Sequence, residues 1–186
     1  MANEWGPLDA LAGDWEGTGG LDTAYSNEKR EVVGTPYREK LSMKPFGPVQ
    51  NGAQCLYGLD YKTAMWRDSE ENPFHTEVGY WLWDAATGEI MRGFVVPRGI
   101  TILAGGTCDA DAKQFSMGAK LNATNGYSIG ENIYLGQKAS TKSYEVTVSI
   151  NDDGSWSYQE STILEMAAMD NTEFAHTDTN TLKRVG

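Results

Sequence analysis

Apolar and polar residues alternate along most of this chain in runs of roughly eight to twelve residues, parted by short turns. The cleanest run is Phe74–Trp83, where Phe74, Thr76, Val78, Tyr80 and Leu82 share one face. A period of two marks a half-buried strand, so this pattern puts those residues inward and sends His75 to the outer wall. Asp84–Gly88 reads as a hairpin turn, Glu89–Val96 as the return strand, and Pro97–Gly99 as a turn into Ile100–Ala104. Further strands are expected at Gln114–Leu121, Ser128–Leu135, Lys142–Ile150, Ser155–Leu164 and Thr177–Arg184. Asn151-Asp-Asp-Gly154 is the clearest hairpin signal.

The first third of the chain is less regular. Pro7 suits a first helical position and Leu8 and Leu11 lie three apart, which predicts a short helix ended by Gly13. Residues 21–34 are polar and mixed in charge, and read as a loop. Tyr37–Phe46 alternates as a strand that Pro45, Gly47 and Pro48 should end, and Gln54–Trp66 is one long strand or two short ones. The sum is about ten strands with short connections and almost no helix, in one domain over residues 1–186. Sequential hairpins favour an all-β, antiparallel up-and-down barrel, because closure removes the edge strands. A barrel of about ten strands leaves room for one small ligand.

Composition narrows the partners. The formal charge of -11 argues against a nucleic-acid surface, which needs clustered Lys and Arg, and against anionic membranes. No charged segment followed by an apolar run opens the chain, and no run nears the length of a membrane span. With only Cys55 and Cys108, far apart, free thiols in a reducing cytoplasm are expected rather than a disulfide framework. The expected partner is a small molecule, and a homodimer is left open.

The chain has two histidines, His75 and His176, too few for a His-rich zinc site. A neutral imidazole at the mouth of an apolar cavity is a ready ligand for iron. A lone histidine near a chain end is more often a solvated or hydrogen-bonded side chain than a ligand, so position alone does not make His176 one. The glycine cluster Gly13-Asp-Trp-Glu-Gly-Thr-Gly-Gly20 lacks the spacing and the basic residue of a phosphate loop; in a strand it marks a sharp bend or close backbone approach. Trp81 and Trp83 are expected to pack on the N-terminal segment or neighbouring strands.

Three blocks resemble one known family, the nitrobindin-like haem-binding β-barrels, which share the fold of fatty-acid-binding proteins. Gly13-Asp-Trp15-Glu-Gly17-Thr-Gly19 is similar to the family's GxWxGxG signature. Asn72-Pro-Phe-His75-Thr-Glu77-Val-Gly79-Tyr80 is similar to its proline, apolar, histidine, x, glutamate, x, glycine, aromatic strand. Met166 through His176 to Arg184 resembles its C-terminal block, where a methionine precedes the haem-ligating histidine by ten residues. The resemblance implies one haem b, with His176 as the iron ligand and Phe74, His75, Val96 and Met166 lining the pocket. It also implies chemistry on nitric oxide and peroxynitrite, including isomerisation of peroxynitrite to nitrate. After Gly19 this chain runs Gly20-Leu-Asp-Thr-Ala-Tyr25 in place of the family's Tyr-Pro-Thr run, so the haem contact of that threonine is not carried over. Val96 stands where relatives have glutamine, and extra residues are expected around 26–34 and 46–52.

Two other readings compete. A metal-free carrier of a fatty acid or other apolar molecule would place a basic side chain to meet the carboxylate, with Arg38, Arg92 and Arg98 as candidates. A barrel filled by its own side chains, acting through a partner surface, would suit the six tryptophans.

Overall fold

The computed structural model describes residues 4–68, 70–124 and 126–185. A 3-10 turn, Gly6–Leu11, precedes a barrel closed by pairing of its first and last strands. The strands are β1 (Gly13–Ser26), β2 (Glu31–Asn51), β3 (Gln54–Arg67), β4 (His75–Asp84), β5 (Glu89–Val96) and β6 (Ile100–Thr107). They continue as β7 (Gln114–Leu121), β8 (Ser128–Glu131), β9 (Ala139–Ile150), β10 (Trp156–Met166) and β11 (Thr172–Arg184). The order around the barrel follows the chain except that short β8 wedges between β6 and β7. The barrel has eleven strands, in keeping with the expected ten or so. It is not wholly antiparallel, since β7 and β8 pair in parallel at Lys120↔Ser128 and Leu121↔Ile129. No helix among the described residues is long and apolar enough to cross a membrane.

Three sequence expectations are corrected. The polar stretch 21–34 is a β hairpin: β1 and β2 pair from Leu21↔Pro36 to Ser26↔Glu31. Both faces there are partly wet, so the residues carry no apolar alternation for sequence reading to detect. Pro45, Gly47 and Pro48 do not end β2. A bulge between Phe46 and Val49, spanning a cis Gly47–Pro48 bond, absorbs them, and pairing with β3 resumes at Val49↔Leu56. Residues 31–34 and 46–51 thus lie in paired strand ends. Ser128–Leu135 is a strand only to Glu131; Asn132 then caps α1 (Ile133–Lys138), its Oδ1 accepting the Leu135 N–H at 2.9 Å.

The interior has two halves. In one, Trp15, Trp81 and Trp156 meet edge to face at 6.1 and 6.4 Å and pack with Leu8, Leu11, Leu59 and Leu182. The 3-10 turn plugs that end. Trp83 lies against the backbone of Gly6, where a Cβ would stand 2.4 Å from its ring. The Trp15 Nε1–H donates to the Leu11 carbonyl at 2.8 Å, so the tryptophan of the glycine-rich block ties turn to strand. At Gly20 an added Cβ would meet the Tyr37 ring at 2.3 Å, the close approach that the glycine cluster serves. The other half holds the cavity.

Candidate functional site

The cavity measures about 330 Å³, opens to solvent, and falls within the size range of small-molecule sites. Phe74, Phe94, Val96, Ile100, Ile102 and Leu164 supply apolar wall. His75 and His176 face into it, with Asp22, Glu77, Glu160, Asp178, Arg67 and Arg98 around them. The interior of β4 is therefore the opposite face from the one its apolar residues suggest. His75, Glu77, Trp81 and Trp83 turn in, while Val78 and Tyr80 are 50% and 53% exposed. The neighbours settle this: Trp81 pairs with Arg92 across β5, and Met65 with His75 across β3, all on the inner face. Burying Glu77 is tolerable because Arg92 neutralises it.

Between core and cavity lies a charged floor. Arg92 Nη2 donates to Glu77 Oε2 at 2.6 Å and to the Tyr61 hydroxyl at 3.2 Å, and Nη1 donates to Glu160 and the Tyr144 hydroxyl. Burial alone would raise the Glu77 carboxyl. The Arg92 guanidinium, with help from His75 and Tyr61, overrides it and holds the pKa down at about 2. Beside this, Glu39 accepts from Thr63, Tyr158 and Asn180 at 2.7, 2.8 and 2.9 Å. Burial still pushes Glu39 upward. The Tyr158 and Tyr37 hydroxyls are 2.7 Å apart, and Tyr37 donates on to Asp178. Burial, then the charge of Glu160, push Asp178 up to about 8, so it keeps its proton at neutral pH.

The two histidines are each held by a carboxylate. The His75 Nε2–H donates to Glu77 Oε1 at 3.0 Å. Burial works to lower His75, but its bond to Glu77 and the charge there win and raise it. The His176 Nε2–H donates to Asp22 Oδ1 at 2.5 Å, with the ring 34% and the carboxylate 11% exposed. A carboxylate only accepts, so this bond assigns the proton to Nε2 and turns the other ring nitrogen away from Asp22.

The structure brings together His176, His75, Phe74 and Val96 around the cavity. Met166 is buried at the end of β10 and does not line it. Gly13, Trp15, Gly17 and Gly19 lie away from the cavity, in the bend of β1. Of the carrier reading's arginines, Arg92 is spent on two carboxylates and Arg38 stacks on Trp66 outside, 4.7 Å from its ring, which leaves Arg98 at the cavity. Asp22, Glu160 and Asp178 escaped sequence reading, because a polar residue in an alternating strand reads as outward-facing. Only the pairing of β1, β10 and β11 turns all three to one cavity.

This residue set suits haem. The walls are apolar, imidazole nitrogens face the space, and Arg67 and Arg98 can take acidic side groups by charge-assisted bonds. The cysteines Cys55 and Cys108 are free thiols.

A family model described as the THAP4-like, heme-binding beta-barrel domain matches residues 4–184. Among solved structures, the crystal structure of Rv2717c from M. tuberculosis superposes with a TM-score of 0.66 at 19% identity, covering 100% of this chain and 99% of that one. At that identity the likeness establishes the shared fold alone. A search of curated proteins finds no match. With nearly its whole length matched, the chain belongs to the THAP4-like haem-binding β-barrel domain family, the nitrobindin-like barrels, whose cofactor is haem.

Proposed function

We propose that this chain binds haem b through His176 and acts on nitric oxide and peroxynitrite, converting peroxynitrite to nitrate. The observation that carries the reading is the pair of imidazoles facing one apolar-walled cavity in a haem-binding family. When bound, haem would supply a Lewis-acidic, redox-active iron able to take the oxidant. The protein's own residues do the rest. His176 would offer the ring nitrogen that does not face Asp22. Phe74, Val96, Ile100 and Leu164 would shield the group from water, and Arg67 and Arg98 could pair with its acidic side groups. His75, oriented by Glu77 and raised by its bond and charge against burial, stands beside the cavity where an anionic oxidant would enter.

The carrier reading is weaker, because Arg92 already compensates Glu77 and Glu160 and cannot also serve a fatty-acid carboxylate. The unpaired thiols support work in a reducing cytoplasm. The test is peroxynitrite decay by stopped flow, with nitrate quantified. Haemin-loaded protein should accelerate decay with nitrate as product, and His176→Ala should fall to the rate of free haemin. Equal rates for the two proteins would remove the proposal.

A further inference from the structure

The β1–β11 seam carries a feature that ligand and wall alone do not explain. Asp22 lies directly opposite Asp178 in the antiparallel register. His176 is two residues before Asp178 on the same face, which makes it the diagonal neighbour of Asp22, within reach of a side chain. The Asp22 carboxylate, 11% exposed, lies 2.5 Å from His176 Nε2, and this is its one side-chain hydrogen bond among the described residues. Its neighbour Asp178 is turned to Tyr37 instead, accepting that hydroxyl. The carboxylate facing the imidazole is thus that of Asp22. Asp22 also falls within Gly20–Tyr25, the stretch where this chain departs from the family's Tyr-Pro-Thr run.

We infer that Asp22 is a positioning residue for His176, accepting its ring N–H so that the bound iron is biased toward the ferric state and anionic oxidants. The inference rests on His176 being the haem ligand. A carboxylate that accepts from a metal-bound imidazole fixes the tautomer and raises the basicity of the ligating nitrogen. Stronger donation stabilises the more highly charged iron, and hydrogen bonding around an axial ligand is one of the protein's levers on haem potential. Ferric iron takes anions such as peroxynitrite, whereas the ferrous form suits neutral diatomics. The arrangement therefore selects a substrate class as well as a geometry.

The test is potentiometry on haemin-loaded protein, wild type against Asp22→Asn, which keeps shape and an acceptor oxygen but removes the charge. The expected result is a loss of ferric preference of roughly tenfold, about 59 mV for one electron. Asp22→Ala should weaken haem affinity by about tenfold or more. Far-ultraviolet circular dichroism checks that both variants fold. If Asp22→Ala does not fold, the near-isosteric Asp22→Asn carries the test alone. An unchanged potential in Asp22→Asn overturns the inference, and so does tighter haem binding by Asp22→Ala, which would mean that the carboxylate competes with iron for the ring. His176→Ala separates the two levels: a wild-type Soret band in that variant removes the ligand assignment itself, whereas a lost band alongside an indifferent Asp22→Asn removes only the role of Asp22.

Discussion

Arg92 has 6% side-chain exposure and faces two carboxylates, Glu77 and Glu160, with the Tyr61, Trp81, Phe94 and Tyr144 rings around it. An ion pair in such a place contributes little net stability over an apolar isostere, but half of one is costly. Arg92→Met should therefore lower unfolding free energy by about 3–5 kcal/mol, read from urea denaturation, because buried Glu77 and half-buried Glu160 lose their cation. A loss below about 1 kcal/mol would mean that water already reaches the floor. The same charge balance explains why single positions were hard to read. His75 sits among apolar even-numbered neighbours that look like core, yet Val78 and Tyr80 are outside and Glu77 is inside. Hydrophobicity predicts a strand face only where burial is apolar. Here half of the buried face, His75 and Glu77, is polar and its partners lie on other strands. His176 was legible through its block; its partner Asp22, 154 residues away in sequence, was not.

At the scale of elements, glycines set how closely strands approach. A Cβ on Gly79 would stand 2.0 Å from the Gly93 carbonyl oxygen, and backbone cannot swing aside as a side chain does. Gly79→Ala should cost about 1–3 kcal/mol or more by overpacking β4 against β5. Gly19→Ala, with nothing within 4 Å, should stay within about 0.5 kcal/mol. Comparable losses for the two in chemical denaturation would contradict the packing account. The strands from β4 to β7 were legible because each has a clear turn before it and an apolar face. The β1–β2 hairpin was not, since its residues are half-exposed on both faces and its stability comes from the ladder Leu21↔Pro36 to Ser26↔Glu31. Helix α1 was hidden for a different reason: Ile133 and Tyr134, 82% and 68% exposed, look like strand interior but stand in solvent.

The whole molecule carries a charge of -11 and encloses carboxylates whose titrations pull in opposite directions. Glu77 is held down at about 2, so its contribution is present above the ordinary carboxylate range and is lost as pH falls from about 4.5 to 2. Asp178, raised to about 8, has the reverse sign: its contribution is full below about 3.8 and is lost as pH rises to 8. His75, raised by Glu77, adds to that decline. Haem-free protein should therefore melt at a higher temperature at pH 5 than at pH 8, and Asp178→Asn should flatten the difference; a flat wild-type profile would count against the buried acid. The closed barrel was legible in strand spacing, and so was a strand starting at Ser128, but its end at Glu131 and its parallel pairing were not, because four residues carry too little pattern to fix a partner. The account as a whole stands on His176, and titration of haemin into wild type and His176→Ala, followed at the Soret band, tests it most directly. The wild type should give a saturable, shifted band at one haem per chain, and the variant should lose or strongly displace it. Identical spectra and affinities for the two proteins would contradict the account.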